Sequence, residues 1–209
     1  YKAICNAPGL MAGGLHAYDG HNHESDLAKR TEKCGSDFEP VLEFRKELEE
    51  AGLDVPNLVA SGTPTFPIHS RHTDRQCSPG TAVLWDFGYN DGLPDLPFEY
   101  AATLLTRVIS KPGANRVCLD LGHKAVAADK PQPRVRLFEM ESAMPVVHSE
   151  EHLTVETENA GNLSVGDCCY GVPVHICPTV ALHDKAWVVR EGRAGQSWEI
   201  AARRRSLGI

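Results

Sequence analysis

Gly171-Val-Pro-Val-His-Ile-Cys-Pro-Thr179 is the stretch on which the reading of this chain turns. Val172, Val174 and Ile176 are strand formers, and Pro173 and Pro178 confine the segment to a short edge strand, because proline cannot donate to a central ladder. In an extended segment His175 and Cys177 project from one face, with Cα atoms about 6.5 Å apart. An imidazole nitrogen and a thiolate so placed converge on one borderline metal such as zinc. Two protein ligands do not close a structural site, and the spare positions would go to water or substrate, as at a catalytic metal. The plainer alternative is a half-buried histidine beside a small apolar cysteine.

Composition narrows the classes open to the rest of the chain. The 209 residues suit one large domain or two small ones. A hydrophobic content of 42% and a charged content of 23% are ordinary for a globular protein. The net charge of −7, with no basic run, argues against nucleic acid as a partner. No apolar run approaches the roughly eighteen residues of a membrane span, so neither a membrane partner nor a signal peptide is expected. The seven cysteines are odd in number, and none forms a Cys-x-x-Cys pair. That usage fits reduced thiols in a cytoplasmic protein. The chain opens on Tyr1 and reads as the latter part of a longer one.

Working back from the decisive stretch, the second half is a series of short, β-branched runs separated by turns. Candidate strands are Arg107–Ile109, Arg116–Asp120, Arg134–Met140, His152–Glu156, Cys168–Cys169, Val172–Cys177, Ala186–Val189 and Ser197–Ala202, which together indicate an all-β domain. The first half has a different grammar. Leu15 to Tyr18 reads as a strand ending at Asp19-Gly20, and a helical region follows from about Asp26 to Ala51. Its second half starts at Ser36 and Glu39 in capping-box spacing, and Gly52 is its stop. Asn57 to Ala60 and Thr81 to Trp85 read as further strands, and Pro97 to Leu105 as a helical piece. Strand, helix and strand in alternation predict an α/β layer. The expected boundary lies at residues 95 to 105, giving domains 1–98 and 99–209.

Small polar turns occupy the expected strand ends. Ser61-Gly62-Thr63 and Ser78-Pro79-Gly80-Thr81 offer backbone N–H groups and hydroxyls to an anion, although each alone is also ordinary turn chemistry. His16, His21 and His23 lie close in sequence and are expected to be loop residues. Asp120 and Lys124 flank the Gly122 turn. Asp120 could orient a base and Lys124 hold a carboxylate, against the alternative of a solvated turn. His152, after Glu150 and Glu151, is either an acid–base group or part of a solvated edge. Asp184 either braces the metal site or caps a turn.

In order along the chain, Ala17-Tyr18-Asp19-Gly20, Gly62-Thr63, Pro79-Gly80-Thr81, Leu119-Asp120-x-Gly122-x-Lys124, Glu150-Glu151-His152 and His175-x-Cys177-Pro178-Thr179 with His183-Asp184 resemble the motifs of D-threonine aldolases and eukaryotic-type D-serine dehydratases. The resemblance implies the alanine-racemase fold type: the second half of a (β/α)8 barrel that binds pyridoxal 5'-phosphate, followed by a metal-binding β domain. It implies a role in cofactor binding for Tyr18, Gly62, Thr63, Gly80 and Thr81. His175 and Cys177 match the ligands of a divalent metal, zinc or manganese, and His152 and Asp120 are candidate catalytic groups. Members act on small D-amino acids and are typically dimeric.

Two departures stand out. The family's Schiff-base lysine belongs to a segment absent here, since Lys2, Lys29, Lys33 and Lys124 lie in other contexts, so this chain alone is expected to be inactive. The better-known aldolases resemble His-x-Asp at the metal, whereas His-x-Cys resembles the dehydratases. Two reactions therefore stay open: cleavage of D-threonine to glycine and acetaldehyde, which is the favoured reading, and conversion of D-serine to pyruvate and ammonia. A non-catalytic fragment and a racemase of the same fold are the remaining alternatives.

Overall fold

A computed structural model describes residues 1–140 and 142–204. The chain forms two compact units, Tyr1–Val83 with Tyr89–Phe98, and Leu84–Gly88 with the residues from Glu99 onward.

The first unit begins with a short helix, α1 (Lys2–Asn6), followed by β1 (Leu15–Tyr18), α2 (Leu27–Glu50), β2 (Leu58–Ser61), α3 (Phe66–His69) and β3 (Gln76–Cys77). The three strands form one parallel sheet in the order β1-β2-β3. Leu15 and Ala17 of β1 pack with Leu58 and Ala60 of β2 against Phe38 and Val41 of α2. The alternation of a strand then sends His16 and Tyr18 to the opposite face. Because all three strands run the same way, their C-terminal ends share one edge of the sheet.

The long helix is continuous, which corrects the expected second start at Ser36. Asp26 is the cap, its side chain accepting from the Lys29 N–H at 2.9 Å, and the helix runs through Pro40. The Ser36 hydroxyl turns back to donate to the Lys33 carbonyl at 2.9 Å, so it supplies no cap. Gly52 ends the helix at φ +74°, as its sequence position suggests. Thr81 to Trp85 is not a strand. The third place in the sheet goes to Gln76–Cys77, and Thr81–Val83 winds into a 3₁₀ turn. Pro97 to Leu105 is not helical either. The helix in this region is α4 (Phe87–Gly92), and residues 93–103 carry no regular structure before the next strand.

The second unit contains β4 (Leu104–Gly113), β5 (Arg116–Leu119), β6 (Val135–Leu137), β7 (Met144–His148), β8 (Leu153–Glu156), β9 (Cys168–Pro173), the short helix α5 (Ile176–Val180), β10 (Lys185–Arg190) and β11 (Arg193–Glu199). Six of these strands form an antiparallel sheet in the order β6-β9-β4-β5-β8-β7. One core underlies it, built from Val108, Val117, Leu119, Leu121, Val135, Leu137, Leu153, Val155 and their neighbours. A separate hairpin of β10 and β11 turns at Glu191-Gly192, both at positive φ, as a two-residue hairpin requires. The β-rich expectation holds, with β7 missed because Met144-Pro145 masks its strand character, and with Cys168 to Pro173 forming one strand.

The decisive stretch differs most from its expected form. β9 is no edge strand: it pairs with β4 on one side and β6 on the other. Pro173 is tolerated because it is the last residue of β9, and Val174 supplies the next N–H, to the Arg134 carbonyl at 2.9 Å. The backbone then turns, His175 becomes the residue before α5, and Pro178 falls in the first turn of that helix, where its missing N–H costs little.

Gly122 fixes a close backbone approach in this unit. A β-carbon there would lie 2.0 Å from the Glu150 carbonyl oxygen, and backbone cannot give way as a flexible side chain can. Gly122→Ala is therefore expected to destabilise the second unit by about 1–3 kcal/mol, read as a lower urea midpoint at unchanged slope.

Candidate cofactor and metal sites

The shared C-terminal edge of β1, β2 and β3 gathers the residues expected to bind the cofactor. Ligands of parallel α/β sheets and barrels bind at this edge, where the chain leaves the strands. Tyr18 ends β1 with 73% of its surface exposed. Its ring lies over Gly20, where a β-carbon would meet the ring at 2.0 Å. Gly62 and Thr63 follow directly after β2, and Gly80 and Thr81 lie just beyond β3, with both threonines buried. On the face carrying Tyr18, His16 Nε2 meets Ser78 Oγ at 3.2 Å, so His16 joins this edge rather than a loop cluster. His21 instead pairs with Asp37 at 2.9 Å.

Asp19 ties these turns together, a role its sequence context gave no sign of. Its backbone N–H donates to the Ser61 carbonyl at 3.1 Å. Its carboxylate accepts from Thr65 Oγ1 at 2.6 Å and pairs with His69 Nε2 at 2.8 Å. Gly62 sits at φ +135°, and a β-carbon there would come 2.4 Å from the Asp19 carboxylate, so the turn needs glycine. Burial alone would raise the Asp19 pKa, but the hydrogen bonds from His69 and Thr65 outweigh it and hold the carboxyl below its ordinary 3.8.

Cys34 completes a buried cluster, its thiol 3.3 Å from His69 Nε2 and 3.8 Å from the Asp19 carboxylate. Among the described residues, Asp19, Cys34 and His69 are the one group of three ligand-type side chains whose donor atoms all lie within 4.8 Å of one another. Its hydrogen bonding is wrong for a metal. Arg75, a donor only, faces His69 Nδ1 at 3.4 Å, so Nδ1 accepts and Nε2 carries the proton given to Asp19. A ligating histidine needs the reverse, with an acceptor behind its far nitrogen. Burial, then the Asp19 charge, also push the Cys34 thiol up to about 12, far from the thiolate a metal takes.

His175 and Cys177 meet that requirement. They share no strand face, as the fold shows, yet the helical turn brings the Cys177 thiol into hydrogen-bonding contact with the His175 ring. That contact, with help from Asp129 and against burial, raises the imidazole pKa to about 9. On the other side, His175 Nδ1 lies 2.6 Å from Asp129 Oδ2. Cys177 is exposed, and the His175 side chain is 34% exposed, so the pair is open to solvent. The donor set therefore fits a borderline divalent cation with open positions. Asp86, fully buried, accepts from the Ile176 N–H at 2.9 Å and pins the start of α5. Sequence reading missed Asp86 and Asp129, which lie 90 and 46 residues from their partners and carry no local signal.

The remaining candidates occupy surface turns. Asp120 Oδ1 accepts from Thr106 Oγ1 at 2.7 Å and from the Arg107 N–H at 2.6 Å, closing the end of the β4–β5 pair. Lys124 bonds Glu150 and Glu151 at 2.9 and 2.8 Å. His152 is exposed and follows these two, its carbonyl accepting from the Ser149 N–H at 2.9 Å. Asp184 pairs with Arg203 and its carbonyl accepts from Ile200, so it serves a turn. No helix among the described residues is long and apolar enough to cross a membrane.

The fold is of the alanine-racemase type, represented by part of a barrel and a β domain. Residues 101–189 match the family described as "Putative serine dehydratase domain". The chain is 30% identical over 201 residues to a D-threonine aldolase of Arthrobacter sp, covering 94% of this chain and 52% of that one. It is 29% identical over 211 residues to a 3-hydroxy-D-aspartate aldolase of Paracoccus denitrificans, covering 97% of this chain and 54% of the relative. The crystal structure of a D-threonine aldolase from Filomicrobium marinum superposes with a TM-score of 0.87 at 26% identity, covering 97% of this chain and 56% of that chain. The chain is thus similar to the D-threonine aldolase and D-serine dehydratase family over the C-terminal portion of its members. It spans about half the length of these relatives.

Two outcomes follow from the buried cluster. Native protein treated with iodoacetamide should be modified at Cys177 and left intact at Cys34, with Cys34 reacting only after denaturation, as peptide mass spectrometry would show. Because the folded pKa of Asp19 is depressed, its stabilisation is complete above its ordinary 3.8 and lost as pH falls through the lower folded value. Asp19→Asn should therefore lower stability at neutral pH and flatten the acid limb of the stability–pH curve.

Proposed function

We propose that this chain is part of a pyridoxal-phosphate- and metal-dependent lyase acting on D-3-hydroxy amino acids, of the D-threonine aldolase type. The observation that carries this reading is the His175–Cys177 pair at the start of α5, set beside Asp129 and open to solvent. The names of the relatives and the gathered turns of the parallel sheet support it.

The proposal gives the first unit the cofactor and the second the metal. Gly62, Thr63, Gly80 and Thr81 hold the phosphate at the strand ends, where glycine lets backbone N–H groups approach an anion and threonine adds hydroxyl donors. Tyr18, at the end of β1, would line the cofactor. Pyridoxal phosphate, when bound, supplies an electron sink for charge developing on the substrate Cα. His175 and Cys177 would hold the divalent cation, which when bound would supply Lewis acidity toward a substrate hydroxyl. Cys177 as thiolate favours zinc over manganese. His152 and Asp120 are the candidate acid–base groups, of which the Asp120 carboxylate also accepts from Thr106 and Arg107. The protein acts in the cytoplasm on a small D-amino acid, as a homodimer.

One observation favours a second reading. Cys177, where the better-known aldolases resemble an aspartate, together with the family match over residues 101–189, supports D-serine dehydratase activity giving pyruvate and ammonia. The two are separated by supplying D-threonine, pyridoxal phosphate and zinc to protein expressed from its complete reading frame. Glycine with acetaldehyde identifies the aldolase, and 2-oxobutanoate the dehydratase. His175→Ala and Cys177→Ala should each abolish metal-dependent turnover and leave the cofactor absorbance in place. Chelator-insensitive activity in both variants would remove the metal from the mechanism.

A further inference from the structure

The two buried or half-buried histidines with metal-type neighbours differ in what stands behind the ring. His69 has a guanidinium there and His175 a carboxylate. A carboxylate only accepts, so at 2.6 Å from Asp129 Oδ2 the His175 Nδ1 carries a proton, which makes Nε2 the nitrogen left to give up its own proton to an arriving cation.

Asp129 is not placed by accident of a loose loop. The segment before it is anchored to α5 and its flanks at two points. The Ala127 N–H donates to Thr179 Oγ1 at 3.2 Å, and that hydroxyl donates in turn to the His175 carbonyl at 2.8 Å. His183 Nε2 donates to the Ala125 carbonyl at 2.8 Å. Val126 is fully buried and Ala127 nearly so, which holds the backbone between these anchors. Thr179 thus connects the residue carrying the ring with the loop carrying its acceptor.

We propose that Asp129 is the positioning residue of the metal site: through its hydrogen bond to Nδ1 it fixes the His175 tautomer and aims Nε2 at the cation. The inference rests on the reading that His175 and Cys177 hold a divalent metal. Asp129 itself stays outside the coordination sphere, since with its oxygen on Nδ1 it lies across the ring from Nε2.

The test uses cobalt(II) as a spectroscopic stand-in for zinc, titrated into the purified 209-residue chain. Thiolate-to-cobalt charge-transfer absorption reports ligation by Cys177 and should vanish in Cys177→Ser. Asp129→Ala should weaken cobalt affinity about 10- to 100-fold. Asp129→Asn, which keeps an acceptor oxygen, should retain most of it. Wild-type affinity in Asp129→Ala, or an Asn variant as weak as the Ala variant, would overturn the positioning role while leaving the metal reading intact. No charge-transfer band in the wild-type chain would remove both. A variant-free check is the tautomer: long-range ¹⁵N–¹H spectra of the zinc-loaded chain should show the His175 proton on Nδ1, and a proton on Nε2 would overturn the proposal.

Discussion

β9 is the strand on which the second unit depends. Its residues pair with β4 on one side and with β6 on the other, so its register is fixed twice over. Gly171 permits this, because a β-carbon there would come 2.6 Å from the Val135 side chain. A strand so constrained delivers its last residue, Pro173, to one place, and the turn that follows begins from a defined point. Asp86 then takes the Ile176 N–H and fixes the direction in which α5 leaves. Its neighbour Gly88 lies where a β-carbon would be 2.3 Å from the Val174 carbonyl oxygen, so the two segments are in backbone contact. The position of His175 is thus set by backbone pairing on one side and a buried carboxylate on the other, neither of which is part of the proposed chemistry.

The pattern of hydrophobic residues made the two kinds of layer legible. Leu15 and Ala17 alternate with His16 and Tyr18, and Leu58 and Ala60 repeat the apolar phase, which is what a sheet with one covered face requires. The turn chemistry after each strand was legible for the same reason. What misled were local signals overruled by distant partners. Ser36 and Glu39 have cap spacing, yet the hydroxyl is better satisfied by a carbonyl already within the helix. Val172 to Cys177 has strand composition, yet the ladder ends at Pro173 and leaves the next residues to a helical turn. Thr81 to Trp85 is apolar enough for a strand, but Gln76–Cys77 already holds the edge beside β2.

The pairing of His175 with Cys177 survives the error in its expected geometry, and the reason is physical. A spacing of two residues places side chains on one face of a strand, whereas on a helix it turns them about 200° apart. His175 escapes that separation because it is the residue before the helix, with extended dihedrals at φ −142° and ψ 103°. Its side chain can therefore fold back over the first turn and reach the thiol. A motif of one spacing can serve one purpose through two backbones, so the spacing pointed to the contact without revealing the structure that makes it.

The first unit shows how a buried ionisable cluster can serve a site without entering it. Asp19 follows Tyr18 directly, and its backbone and side chain both reach across to the β2 turn, to Ser61 and to Thr65. Thr65 in turn donates its N–H to the Gly62 carbonyl at 3.2 Å, so the two turns form a closed circuit of hydrogen bonds. Rotating the Tyr18 end of β1 relative to the Gly62 turn would break several of these at once, inside a region from which water is excluded. Each lost partner there carries the full desolvation cost of a buried polar group, about 1–3 kcal/mol. His69 and Cys34 contribute by occupying the remaining lone pairs of the Asp19 carboxylate, which would otherwise draw water into the space behind the strands. The cluster that satisfies a distance criterion for metal ligation is, by its proton arrangement, the brace that keeps two strand ends in register.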